Sequence, residues 1–251
     1  MDFTDLHLAT TDSTNRVARQ LGQGGAAQGS GVVADYQTSG RGRLGRAWFS
    51  PAGKNLYCSY IARPDIAPED YPKLTMVAGV AVAQCLKKFG GIDIGLKWPN
   101  DLFIGSRKCG GILSEFSTDQ NDKPFAVIGV GINCNLTESE IPDDLSAIAT
   151  SLRIESGSAV DIMQLFNDVR ISLLYLINEF KSSGFSEILK RWHRFDIFRG
   201  KKMSWARPDG TEVQGENLGP DRDGALMVKD TDDTIHHVVS GEVTFTGLLE
   251  R

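Results

Sequence analysis

The stretch GRGRLGRAWFSPAGKN, residues 40–55, decides how this chain is read. Its first six residues satisfy the GxGxxG pattern of a dinucleotide fold literally. In that fold the third glycine opens a helix, whereas here Pro51, Gly53 and Asn55 follow and oppose one. A Rossmann reading is set aside for that reason, and the chain has no GxxxxGK[ST] to support a Walker reading. The segment instead places Arg41, Arg43 and Arg46 on a backbone that Gly40, Gly42 and Gly45 keep free. From Tyr36 to Pro64 there is no Asp or Glu, and Lys54 and Arg63 add to the positive charge, although the whole chain has a formal net charge of -5. An acidic protein with one carboxylate-free basic stretch points to a specific anion rather than to general nucleic-acid binding. Ordering about ten loop residues costs roughly 1–2 kcal/mol each, so the loop is expected not to order itself unaided. Charge-assisted hydrogen bonds of about 1.5–3 kcal/mol each to a carboxylate or phosphate would offset much of that cost. A solvated Arg/Gly surface loop and a single RGG-like RNA contact are the other readings of these residues.

Outward from this segment, the 251 residues are 41% hydrophobic and 24% charged, the mix of a globular chain able to bury a core. The N-terminal MDFTDLHLATTDS carries acids where a signal peptide carries basic residues, and no apolar run approaches the ~18 residues of a membrane span, so a cytoplasmic protein without membrane contact is expected. Cys58, Cys85, Cys109 and Cys134 stand far apart without CxxC spacing and read as free thiols rather than metal ligands.

Hydrophobic spacing predicts a short helix over 14–21, capped by Ser13 or Asp12, and a helix over 70–89 that stops at Gly90-Gly91. A long amphipathic helix is predicted from about 159 to Gly184, followed by the short helix FSEILKRWHRF. SGVVADY, NLYCSYIA, IDIGLKW, KCGGILSEF and PFAVIGVGIN read as strands. Beyond Arg199 the texture changes to short alternating segments broken by PDG and PDRDG, the pattern of a small β-barrel. The expected organisation is an α/β (α+β) body over 1–196 with an all-β module over 197–251.

Three further segments can carry chemistry. KWPND, residues 97–101, holds Asn100 and Asp101 either at the mouth of a site or simply in a β-turn beside a packed Trp98. RKCGGIL offers Lys108 ahead of a strand weakened by Gly110 and Gly111, and VIGVGIN repeats the device with Gly129 and Gly131 before Asn133. Two adjacent glycine-bearing strands would leave a flat slot for a planar ligand; a β-bulge is the plainer reading. His236 and His237 point to opposite faces of a strand and cannot chelate together, and His7 and His193 stand alone.

The segments DSTN (12–15), YQTSGRGRLGRAW (36–48), KWPNDL (97–102), RKCGGIL (107–113) and VIGVGIN (127–133) closely resemble, in order and spacing, the biotin protein ligases. With the C-terminal β-module, the resemblance covers essentially the whole chain. It implies a catalytic body built on a mixed sheet and a C-terminal SH3-like β-barrel. It implies that biotin and ATP, with Mg2+, give biotinyl-AMP, and that biotin passes to a lysine of a biotin carboxyl carrier protein. Lys108, Arg41, Arg43 and Asp101 are then the catalytic candidates: Lys108 at the carboxylate and α-phosphate, the arginines over the adenylate, and Asp101 at the acceptor lysine. Ser13, Thr14, Asn15, Gln37, Gly40, Gly42, Gly111 and Gly129 join Arg41, Arg43 and Lys108 as biotin-binding candidates. Arg46, Trp48, Asn100, Ile112 and Asn133 join Arg43 and Lys108 as ATP-binding candidates, with Trp48 under adenine. No set of protein metal ligands is implied. No helix-turn-helix segment precedes DSTN, so direct DNA binding is not expected. One departure is Leu44, where some relatives carry another arginine. The alternatives are a lipoate or octanoate ligase, which would carry an RRxSGGG-type loop, and a non-catalytic biotin-binding regulator, which would lack Lys108 or the arginines.

Overall fold

The computed structural model describes residues 3–88, 91–206, 211–239 and 243–245. Apolar runs with little polar interruption become interior strands, because a strand covered on both faces has no use for a polar side. In chain order the body contains β1 (Asp5–Leu8), α1 (Thr14–Gln23), β2 (Gly31–Ala34), β3 (Leu56–Ala62), α2 (Leu74–Lys88), β4 (Ile94–Lys97), β5 (Asp101–Ile104), β6 (Arg107–Thr118), β7 (Pro124–Ile132), α3 (Leu152–Ser156), α4 (Ile162–Ser183) and α5 (Phe185–Phe195). The strands form one seven-stranded sheet in the order β1-β2-β3-β7-β6-β5-β4. β1 and β2 run parallel and the other neighbours antiparallel, so the sheet is mixed, as expected.

Alternation along β3 and β7 defines the two faces. Cys58, Tyr60, Ala126, Ile128 and Val130 belong to the large core under α2, α4 and α5, whereas Ile61, Phe125 and Val127 pack with Ala18 of α1 on the other side. The period of two then assigns Tyr57, Ser59, Gly129, Gly131, Gly111, Leu113 and Glu115 to the α1 side. α1 covers part of that face and leaves the rest open as a site. α2 is apolar almost all round, LTMVAGVAVAQCL, because it is enclosed by the sheet, α4 and α5. Gly79 allows this: a Cβ there would lie 2.8 Å from the Trp192 ring. Asp161 caps α4 by accepting from the backbone N–H groups of Met163 and Gln164, and Gly184 ends it at φ 78°.

β8 (Lys202–Ala206), β9 (Glu212–Pro220), β10 (Leu226–Lys229), β11 (Ile235–Val238) and β12 (Val243–Phe245) form an antiparallel sheet in the order β11-β10-β9-β8-β12. Among the described residues no ladder joins β11 to β12. This sheet shares the body's core: Met203, Leu226, Val228, Val238 and Val243 continue the main apolar cluster. Ile197 fills the hollow at Gly95, and Trp98 donates its indole N–H to the Gly224 carbonyl at 2.9 Å.

All four cysteines are buried free thiols. Burial pushes Cys85 up to about 11 and Cys58 and Cys134 up to about 12. Among the described residues no helix is long and apolar enough to cross a membrane.

Candidate active site

The open part of the sheet forms the floor of a cavity of about 520 Å³. Its walls are the start of α1, the loop 37–49, the turn 97–101 and the segment 141–149, and Val243 and Thr244 of β12 reach its rim. Among the sequence-expected site residues every one but Gly40 lines it. At Gly40 a side chain would meet Ser50 Oγ and the Trp48 carbonyl, so that glycine lets two backbone segments approach.

One end of the cavity is uncharged and closely bonded. Ser13 occupies the N-cap of α1 in extended backbone, yet its hydroxyl makes no cap bond, so it remains available to the cavity. The Thr14 N–H and hydroxyl lie 3.0 and 3.2 Å from Gln37 Oε1, and the Gln37 amide donates to Ser50 Oγ. Ser59 Oγ lies 2.8 Å from Thr14 Oγ1 and 2.6 Å from Asn15 Oδ1. Asn15 Nδ2 donates to the Leu113 carbonyl and, at 2.8 Å, to Glu115 Oε2. Ser59 and Glu115 were not singled out in the sequence. The signal for Ser59 was a hydroxyl inside the otherwise buried run NLYCSYIA.

The opposite end carries the cations. Lys108 Nζ is 2.6 Å from Asp101 Oδ1 and 5.5 Å from the centre of the Trp48 ring. Arg43 reaches Asn100 Oδ1 at 3.4 Å. Burial holds its pKa below the ordinary value while nearby Asp101 acts oppositely, and a guanidinium stays charged regardless. Asn100 is pinned to β6, donating to the Ile112 carbonyl and accepting from the Ile112 N–H through its own carbonyl. Asn133 is buried and satisfied internally, donating to the Thr150 carbonyl. Arg46 is exposed at the rim.

Two expectations need revision in physical detail. The loop 40–48 is zipped into a short hairpin by the Trp48 N–H to the Gly40 carbonyl, 2.9 Å, and the Gly42 N–H to the Arg46 carbonyl, 2.7 Å. Its turn places Leu44 at φ 56° and Gly45 at φ 75°, with the Leu44 side chain 71% exposed. Arg41 sits 3.9 Å from Glu115, so protein groups already answer part of the charge that seemed to require a ligand. The glycine floor is not an empty slot either. Gly129 makes room for the Asn15 carboxamide, and Gly131 and Gly111, paired across β7 and β6, seat the Trp48 indole. The Trp48 N–H is buried there without a hydrogen-bond partner.

A mixed sheet with this loop, turn and glycine floor defines a class. Residues 8–133 match the biotin/lipoate A/B protein ligase family model, and the chain belongs to that family. The bifunctional ligase/repressor BirA of Bacillus subtilis is 35% identical over 231 residues, which cover 92% of this chain and 70% of that one. The biotin–[acetyl-CoA-carboxylase] ligase of Mycobacterium tuberculosis is 28% identical, covering 88% of this chain and 81% of that one. Among solved structures, the Aquifex aeolicus biotin protein ligase in complex with biotin and ATP superposes with a TM-score of 0.82 at 28% identity, covering 96% of this chain and 98% of that one.

Proposed function

We propose that the chain is a biotin protein ligase: it forms biotinyl-AMP from biotin and ATP and transfers the biotinyl group to a lysine of a biotin carboxyl carrier protein. One observation carries the reading: a single cavity joins an uncharged hydrogen-bonding end at Thr14 and Gln37 to a cationic end at Arg43 and Lys108. That suits a substrate with a urea head, an apolar ring and chain, and a terminal carboxylate to be activated. The related enzymes named above, one of them solved with biotin and ATP, support it.

In the first step a biotin carboxylate oxygen attacks the α-phosphorus of ATP and pyrophosphate leaves. Charge builds on the non-bridging phosphate oxygens, where Lys108 and Arg43 stabilise it; such fixed donors act where charge develops rather than where it already rests. Lys108 is held by Asp101, so an arriving anion exchanges for that carboxylate. The exchange frees Asp101 for the second step, in which the acceptor amine attacks the acyl carbon and AMP leaves. A lysine with a pKa near about 10.4 is mostly protonated at neutral pH, and Asp101 orients it and takes its proton. Arg41 and Arg46 on the hairpin close over the adenylate and exclude water from the anhydride. Trp48 offers a platform for adenine, and Ser13, Asn15, Gly42, Gly111 and Gly129 shape the biotin end; Asn100, Ile112 and Asn133 shape the nucleotide end.

Among the described residues lining the cavity, Asp101 is the one carboxylate. That donor set would suit magnesium brought in with the triphosphate rather than held by a protein cage, and Asp101 and Asn100 are the residues that would help hold it. When bound, the ion neutralises triphosphate charge. We further take 1–196 as the catalytic domain and 197–251 as an SH3-like barrel that completes the rim, in a cytoplasmic enzyme. The deciding experiment supplies biotin, lipoate or octanoate with ATP and magnesium, then adds a biotin carboxyl carrier domain. Pyrophosphate release and labelling with biotin are expected; equal turnover of lipoate overturns the assignment.

A further inference from the structure

We infer that Glu115 sets the hydrogen-bond polarity of the uncharged end of the cavity, and so makes that end selective for a ligand head that donates N–H groups. The inference rests on the biotin reading and adds a specificity-determining residue that acts through others.

The argument follows protons. A carboxylate accepts and cannot donate. One Glu115 oxygen takes Arg19 at 2.8 Å, and the other takes Asn15 Nδ2 at 2.8 Å. The Leu113 carbonyl, 3.2 Å away, is a second acceptor facing the same Nδ2. The Asn15 carboxamide therefore has one permitted orientation, with Oδ1 turned into the hollow at Gly129 towards Ser59. Ser59 has one proton, and the 2.6 Å contact to Asn15 Oδ1 needs it. The 2.8 Å contact between the Ser59 and Thr14 hydroxyls must then use the Thr14 proton, and the longer 3.2 Å contact from the Thr14 hydroxyl to Gln37 Oε1 is left without one. Thr14 Oγ1 is left presenting lone pairs, and Gln37 is held with Oε1 on the same side because its amide donates to Ser50, whose own proton goes to the Trp48 carbonyl. Two acceptors facing one end of a cavity match the paired N–H groups of a cyclic urea. They repel or leave unsatisfied a head with no donors.

The test exploits a carboxamide's single oxygen. In Glu115→Gln two cations compete for that oxygen, and Arg19 at 2.8 Å claims it over Arg41 at 3.9 Å, which turns the new NH2 towards Asn15. Asn15 must flip, its Nδ2 then faces Ser59, and the relay reverses so that the Ser59 proton blocks Thr14. Biotin affinity by calorimetry is expected to fall about tenfold or more. Adding Arg19→Met lets the Gln oxygen face Asn15 again, so Glu115→Gln/Arg19→Met is expected to recover most of the loss, while Arg19→Met alone keeps the parent's affinity. A purely structural role predicts the opposite, since the double variant loses more contacts. Biotin binding by Glu115→Gln within about twofold of the parent, or a double variant weaker than the single one, overturns the inference. Should Glu115→Gln fail to fold, Ser59→Ala carries the test: it removes the acceptor of the Thr14 proton, and unchanged biotin affinity overturns the relay. Failure of the parent protein itself to bind biotin would instead overturn the biotin reading.

Discussion

Gly131→Ala probes the seat of Trp48 without touching any charged group. The new Cβ would lie 2.8 Å from Trp48 Nε1 and 2.9 Å from Cε2, against the roughly 3.5–4.0 Å of an unstrained heavy-atom contact, so something must yield by about 0.7 Å or more. Gly131 is paired with Tyr57 on one side and Gly111 on the other, inside the sheet, and cannot retreat. Trp48 belongs to a hairpin whose tip is exposed, so the ring moves. Overpacking costs about 1–3 kcal/mol, and here that cost falls on placing the loop rather than on the fold. The expected result is a KM for ATP raised about tenfold to a hundredfold, kcat less affected, and global stability lowered by under about 1 kcal/mol. Pyrophosphate release at saturating biotin and a denaturant titration measure both. An unchanged KM, or a large loss of stability with an unchanged KM, refutes the seating argument.

Lys108→Ala is expected to lower kcat by about a hundredfold or more, as removal of a donor aimed at developing charge does, whereas Lys87→Ala, at a lysine paired with exposed Asp93, leaves turnover intact; equal rates would remove Lys108 from the chemistry. Burial pushes the Asp196 carboxyl from 3.8 up to about 6. Between those values the folded state holds a proton that the unfolded state has lost, so stability falls as pH rises through that window and the deficit persists above it. Asp196→Asn should therefore melt higher than the parent at about pH 7, with the gain vanishing towards about pH 4; a pH-independent gain would point to packing instead. Trypsin is expected to cut at Arg41, Arg43 or Arg46 in the free protein, and biotin with ATP and magnesium to suppress the cut; identical cleavage rates would place the hairpin outside the site.

The long periodic elements were legible in the sequence because one face repeats. α4 shows Leu165, Phe166, Val169, Leu173, Leu176, Ile177 and Phe180 buried on one side, and β7 was read almost residue for residue. β1 and β5 escaped because four-residue strands carry little periodicity, and β1 lies at the sheet edge with alternating partial exposure. KWPND was read as a turn, but its last residue already begins β5, and that places Asp101 opposite Gly111. The basic hairpin announced its chemistry through composition, whereas Glu115 could not, because its partners Asn15, Arg19 and Arg41 are all far from it in sequence, Asn15 by 100 residues. The paired glycines were read as a slot for a planar ligand, with a β-bulge as the plainer alternative, and the ladder does shift register beside Gly110, where Leu102 pairs with Gly110 and Phe103 with Lys108. Sequence alone does not reveal that the first occupants are Asn15 and Trp48, since a missing Cβ records the need for space and not who uses it.

The buried thiols have a practical consequence for labelling chemistry. Alkylating reagents attack the thiolate, and a thiol that is both shielded and held at about 11 or above presents almost none at neutral pH. The native chain is therefore a quiet background for maleimide probes. A Leu44→Cys substitution at the 71% exposed hairpin tip adds one reactive sulfur without removing any charge, and a dye attached there would report the opening and closing of the cavity directly.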